Sequence, residues 1–408
     1  MERIRKLGKQ TFASLSVRNF RLYFIGQAIS LSGTWMQTIA QDWLVLKLTN
    51  SGTQLGLVSA MQFLPILLFA PWGGVVADRF DKRKILFCTQ TAFGMLAFLL
   101  GITVLTGLVQ IWMIYIFAIC LGFVRVFDNP ARHSLVSEMV EDKYLGNAVG
   151  LFSTEVSLAR AVGPAIAGAV IALAGLGLCF ILNALSFVAV IIVLAMMRPS
   201  EFHQNHAALK KEKKESKFAD GFKYVFASPI LFSTLMMMAI IGTLTYEFSV
   251  SIPLLAKNTF NGNAGSYATL VSALGCGSIL GGLLGANKHR TNQKHLTTTA
   301  FLFGLSFLLV AFMPNLFWAA VVLFFVGIFS INFIAWGNST MQRESDSHMR
   351  GQVMALWMMA FLGSTTIGGP IIGFIGEHAG PRWAVSVGGI AAIVVSGIAT
   401  LRIIKFSD

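Results

Sequence analysis

The chain has 408 residues, of which 55% are apolar and 12% charged, and its formal net charge is +13. A soluble domain holds about 25% charged residues, so water is not the main solvent and an ordinary globular fold is excluded. Cys88, Cys120, Cys179 and Cys276 stand far apart in apolar runs, with no Cys-x-x-Cys or Cys/His spacing, so no metal, cofactor or disulfide framework is expected.

A spanning helix needs roughly 20 mainly apolar residues. After a basic stretch, MERIRKLGKQTFASLSVRNFRLY, apolar runs predict spans at 22–46, 53–77, 84–106, 110–128, 146–172 and 176–197. The stretch lacks the features of a cleavable signal peptide, so the first span reads as retained. Pro199 to Asp220, containing KKEKKESK, reads as a linker. Further spans follow at 229–256, 266–287, 294–313, 316–338, 353–376 and 382–404. The expectation is an all-α polytopic membrane protein of twelve helices: a six-helix bundle over 1–197, a cytoplasmic linker over 198–228, and a second six-helix bundle over 229–408. A barrel is excluded, because continuous apolar runs replace alternating strands.

The connections alternate in charge. One set holds Arg3 to Arg21, Arg79 to Lys84, Arg132 and Lys143, Arg198 to Lys223, Lys288 to Lys294, Arg343 and Arg350, and Arg402 and Lys405; the other holds only Lys47, Lys257 and Arg382. The positive-inside rule places the first set, and both termini, in the cytoplasm. The basic excess is thus a topology signal with some affinity for anionic headgroups, and nucleic-acid binding is not needed to explain it.

The halves echo each other. Gly163-Pro164 with Gly168 answers Gly369-Pro370 with Gly373; Gly146-Asn147-Ala148 answers Gly351-Gln352-Val353; Gly73-Gly74 answers Gly281-Gly282. Six spans separate equivalents, so the repeats run parallel, as in a two-bundle transporter that rocks about a midplane site.

Between spans two and three the chain reads Gly74-Val-Val-Ala-Asp78-Arg79-Phe-Asp81-Lys82-Arg83-Lys84. This resembles the signature loop of the major facilitator superfamily, G-x-L-a-D-R-x-G-R-[RK], with Asp81 in place of the second glycine and Lys82 in place of an arginine. From the residues themselves, Gly74 permits close helix approach and Asp78 can cap a helix or pair with a cation. The resemblance implies that Asp78 meets the start of span eleven, and that Lys82 pairs with an acid ending span four, where Asp128 stands. Asp128-Asn-Pro130-Ala-Arg132, Gly33-Thr-Trp35-Met-Gln37 and Arg350-Gly351-Gln-Val353-Met354 are similar to the bacterial drug-export branch. That resemblance implies export of siderophores, macrolides and other amphipathic compounds, usually against proton entry, from a bacterial inner membrane by a protein acting as a monomer. Gly163, Pro164 and Gly168 read as close-packing and hinge residues.

A charge at mid-bilayer costs at least about 2.5–3.5 kcal/mol, so each one needs a reason. Asp42 in span one, Glu155 and Arg160 in span five, Glu247 in span seven and Arg125 in span four are candidates. Asp42 or Glu247 is expected to carry the coupling proton; interfacial exposure is the alternative for Asp42. Arg160 either holds Glu155 or Asp42 structurally or attracts an anionic substrate. The resemblance implies a cavity lined by spans one, four, seven and ten, which nominates Trp35, Gln37, Gln41, Asn332, Trp336 and Asn338. Aromatic and amide groups with few fixed charges suit a large, partly polar, amphipathic solute.

Enzyme function is not expected: His133 and His289 fall in predicted loops, and no nucleophile or metal set lies at one depth. An ATP-driven pump is disfavoured by the lack of a G-x-x-x-x-G-K-[ST] loop. A channel fits two repeats in one chain less well than alternating access does. Uptake of a small solute and a non-transporting receptor stay open as alternatives to export.

Overall fold

A computed structural model describes residues 12–203, 218–285, 293–346 and 348–407. The described residues are helical throughout, with no strand. The long helices are α1 (Arg18–Thr49), α2 (Gly52–Arg79), α3 (Lys82–Leu105), α4 (Ile111–Met139), α5 (Asp142–Ala174) and α6 (Leu176–Met196). After the short helix Phe218–Ala227 come α7 in two pieces (Pro229–Leu244 and Phe248–Leu254), α8 (Ala264–Gly285), α9 (Gln293–Val310) and α10 (Leu316–Arg343). The chain closes with α11 in two pieces (Arg350–Leu362 and Ser364–His378) and α12 (Pro381–Ser407). The KKEKKESK run and His289 lie outside the described residues.

Short polar residues set the helix starts. Ser51, Asp81 and Asn315 cap α2, α3 and α10 by accepting from backbone N–H groups one turn in. Asp81, which stands where the loop signature has glycine, accepts from the Arg83 and Lys84 amides at 2.8 and 3.2 Å, so the substitution makes a helix cap. Gly175, at φ +80°, lets α5 turn directly into α6.

Two elements depart from expectation. Span four is expected to end at residue 128, yet α4 runs on to Met139. The Asp128 charge is neutralised one turn later by Arg132, and His133 therefore sits on a helix, not in a loop. Span seven, expected to be continuous, breaks at Thr245-Tyr246-Glu247. There the Thr245 hydroxyl donates to the Gly388 carbonyl at 2.8 Å, anchoring the interruption to α12.

Ten of the described helices are long and apolar enough to cross a membrane; α1 and α9 are the exceptions. Helix α1 falls short because it carries Gln27, Gln37, Gln41 and Asp42, all buried in the protein and away from lipid. Helix α9 starts on Gln293-Lys294-His295. Outward-facing Leu105, Leu185, Leu283, Phe325 and Ile398 are exposed, as a lipid-facing surface requires.

The repeat appears as matching contacts. A β-carbon on Gly73 would meet the Val126 carbonyl of α4, and one on Gly281 the Ile328 carbonyl of α10, while Gly74 and Gly282 both face open space. Gly73, not Gly74, is therefore the close-approach glycine of the loop signature. Gly163 packs on Trp35 of α1, and Gly368 packs on Thr243 of α7.

The two halves meet along two seams. Gly52 and Gly56 of α2 lie against Gly373 and Gly369 of α11, and Ala161 and Gly168 of α5 lie against Gly275 and Ala268 of α8. Both seams run along the half of the molecule opposite the basic loops, hereafter the far end. Toward the basic end α5 leaves its partner, and Ser153, Thr154 and Leu158 are exposed.

Candidate transport cavity

Between the seams lies a cavity of about 500 Å3. Its wall comes almost wholly from the N-terminal half: Thr34, Gln37 and Gln41 of α1, Gln62 of α2, Arg125 and Arg132 of α4, Arg160 of α5 and Asn183 of α6, with Ile331 from α10. Gln37 and Gln41 are thus wall residues as expected, whereas α7 contributes none among the described residues. The Asn183 amide donates to Gln37 at 2.7 Å, fixing α6 on α1. Asn332 and Trp336 belong to a second crevice of about 480 Å3 between α8, α9 and α10, where the His295 ring stacks on Trp336. Asn338 bonds Gln342 one turn on along α10. These three do not line the central cavity, because α10 turns only Ile331 into it.

At the basic end of the cavity Asp128 anchors a buried network. It accepts from Arg132 Nε and Nη2 at 3.0 and 2.6 Å and from Thr89 and Gln90 of α3 at 2.8 Å each. Arg132 also donates to Gln27 of α1. The expected Lys82–Asp128 pair is therefore not formed. Lys82 bonds Glu138 at 2.9 Å instead, because α4 continues past Asp128 and brings the later carboxylate level with the loop. Arg83 donates to the Leu194 and Ala195 carbonyls at 2.6 and 3.1 Å and so closes the C-terminus of α6. Asp78 and Arg79 are exposed on the last turn of α2.

The profile of the transmembrane secretion effectors of the major facilitator superfamily matches residues 9–406. The chain belongs to that family. It is 24% identical over 390 residues to the staphyloferrin A transporter of Staphylococcus aureus, covering 92% of this chain and 94% of that one. It is 22% identical over 298 residues to macrolide efflux protein A of Streptococcus pyogenes, covering 72% and 73%. The enterobactin exporter of Shigella flexneri matches at 23%, over 95% of this chain and 92% of its own. Among solved structures, an inward-facing bacterial homologue of the human lysosomal transporter Spinster superposes with a TM-score of 0.74 at 13% identity, over 94% and 96% of the two chains. The nucleoside transporter NupG superposes at 0.73 with 14% identity, over 94% and 98%. The protein is thus a multi-pass membrane transporter of small molecules and not an enzyme.

The transporter's remaining membrane carboxylates are scattered. Asp42 is buried, not interfacial: it accepts from the Tyr267 hydroxyl of α8 at 2.7 Å, across the seam, and Trp43 stacks on the same ring. Glu247 is buried at the break of α7, near Thr365 of α11, and Glu155 is buried within α5. Neither has a hydrogen-bond donor in good geometry among the described residues. Arg160 pairs with neither Glu155 nor Asp42; its guanidinium lies 4.9 Å from the centre of the Trp35 ring. Pro164 is buried beside the Gly163 contact.

Sequence reasoning missed the polar closure of the far end. Glu377 of α11 accepts from the Ser51 hydroxyl at 2.6 Å and the Thr53 amide at 2.9 Å, so one half caps a helix of the other. Lys257 donates to the Leu46 carbonyl at 2.7 Å. A lone Glu near a helix end gives no sign in sequence of which distant N-terminus it will meet.

Proposed function

We propose that the transporter is a proton-coupled exporter of amphipathic small molecules, of the drug or siderophore kind, working by alternating access. The single observation that carries this reading is a central cavity closed at the far end by two glycine seams and a polar contact set. The relatives, a siderophore transporter, a macrolide efflux protein and an enterobactin exporter, agree with it. In this reading residues 1–197 and 229–408 are two six-helix bundles joined by a cytoplasmic linker over 198–228, and the protein works as a monomer in a bacterial inner membrane. The basic end, with both termini, faces the cytoplasm, so the cavity opens inward and takes its cargo there. The Lys82–Glu138 and Arg83 contacts, together with Gly163, Pro164 and Gly168, form the moving joints.

Glu247 and Asp42 are the proton carriers in this reading. Both are buried carboxyls, and Asp42 lies in a seam that must open. Arg160 stands in the cavity wall, and Glu155 lies on the same helix toward the basic end.

The test is transport in inside-out vesicles energised by respiration, following proton movement when siderophores, macrolides or dyes are added. Compound-dependent proton release from the acidified lumen is expected, lost in Glu247→Gln or Asp42→Asn while binding persists. Full proton-linked transport in both variants removes the two carboxylates from the mechanism, and solute movement in the opposite direction replaces export with uptake.

A further inference from the structure

The cavity wall carries more charge than an uncharged amphipathic cargo needs. Arg125 and Arg160 come from different helices and line the same cavity, yet neither has a carboxylate within ion-pair distance among the described residues. Arg125 has a neutral partner: the Gln62 amide, turned so that its oxygen faces the guanidinium, accepts from both Nη atoms at 2.5 and 3.2 Å. Arg160 rests on Trp35, and its Nε is buried without a hydrogen-bond partner among the described residues. Asp128 is the one acidic residue among the described wall residues, and Arg132 already holds it with two hydrogen bonds.

Both guanidiniums are half-buried in the cavity wall, and an amide or an aromatic face compensates only part of what such a cation loses in leaving water. A protein keeps such groups where an anion arrives to complete them. Guanidinium binds carboxylate or phosphate through two parallel N–H···O bonds, and the geometry is rigid enough to select for it. Two of them on separate helices ask for two acidic groups on one solute. Phe152 and Phe187 on the same wall offer apolar surface to the remainder.

We infer that the cargo is an amphipathic polyanion, with at least two carboxylate or other acidic groups, held between Arg125 and Arg160. This rests on the transport reading above and narrows its cargo.

The experiment is thermal unfolding of the purified transporter, followed by tryptophan fluorescence, against three probes on one scaffold. These are benzene-1,3,5-tricarboxylate, its neutral trimethyl ester, and the matching triamine cation. The tricarboxylate is expected to raise the unfolding temperature in a dose-dependent way, less so at high salt, while the ester and the cation do not. Arg125→Gln and Arg160→Gln should each weaken its apparent affinity about tenfold or more. Arg125→Lys and Arg160→Lys should fall between, which keeps the test valid if a Gln variant does not fold. An equal response to the ester or the cation, no response to the tricarboxylate, or full retention in the Arg variants overturns the inference. Tricarboxylate binding without transport of any solute would instead remove the transport reading and leave the anion site standing. Transport of a cationic dye with no tricarboxylate binding would do the reverse.

Discussion

The two halves share one helix plan and fill it with different chemistry. The N-terminal half buries Asp42, Asp128 and Glu155 with a set of amides, beside the half-buried Arg132, and these groups form the wall of the cavity or stand close behind it. The C-terminal half buries one carboxylate, Glu247, beside a knot of rings in which Tyr246 meets Phe248, Phe303, Phe333 and Phe361 at 5.0–6.5 Å between centroids. In the reading proposed above, one copy holds the solute and the other is a stiff body against which it rocks. The difference teaches that symmetry here belongs to the backbone and the glycine contacts, while the polar side chains have diverged.

That contrast is sharpest at Arg132. Replacing it with Leu leaves Asp128 buried with its charge uncompensated, and breaking a buried pair from one side costs about 3–5 kcal/mol. The expected outcome is loss of most folded protein on size-exclusion chromatography. A double change, Asp128→Asn with Arg132→Gln, removes the stranded charge and is expected to recover a good part of the yield. If the single variant folds normally, the polar network is not what holds the N-terminal half together.

A smaller effect is expected at the seams, where the halves should behave alike. Ala at Gly56 would put a β-carbon 2.1 Å from the Gly369 carbonyl, and Ala at Gly275 one 2.7 Å from the Ala161 backbone. Overpacking of this kind costs about 1–3 kcal/mol, here charged against the closed far end. Ser59 lies on this surface, with its hydroxyl 3.4 Å from that of Ser249. A cysteine placed at Ser59 in a cysteine-free background is therefore expected to react faster with an impermeant maleimide in both variants. Gly74→Ala, facing open space, is expected to leave the rate unchanged. A faster reaction in one seam variant alone would show that the two seams open separately.

Much of this was legible in the sequence, for identifiable reasons. Spans, repeat and loop signature follow from hydropathy and glycine spacing, which act locally. The route of α4 through Pro130 was not legible, because the partner that cancels Asp128 sits one turn beyond the apparent stop. Asn332 and Trp336 were assigned to the cavity by position along span ten, but facing depends on rotation, and polarity alone does not fix rotation when both faces carry polar residues. Glu377 and Tyr267 act across the seam, at sequence separations of 324 and 225 residues from their partners, and no local pattern encodes such a meeting. Of the membrane charges that the sequence marked, Asp42, Glu155 and Glu247 are buried, whereas Arg125 and Arg160 are half-buried in the cavity wall; hydropathy does not encode which of them find partners.

The least disruptive test reaches the C-terminal knot. The Tyr246 hydroxyl donates to the Ser330 carbonyl at 2.6 Å, tying the broken α7 to α10. Tyr246→Phe removes that bond and leaves the ring contacts in place. The carbonyl keeps a second lone pair and its helical position, so the expected loss is about 1 kcal/mol, the net worth of a single neutral hydrogen bond. Equilibrium unfolding in mixed micelles would read it. Bilayer values for comparable interhelical bonds average about 0.6 kcal/mol, so a loss in that range assigns the stability of this half to ring packing. A loss as large as that of Arg132→Leu would mean that the hydroxyl holds the break of α7 and the Glu247 carboxyl in register. The C-terminal half would then depend on a polar link as the N-terminal half does, and the contrast between them would lie in the number of such links and not in kind.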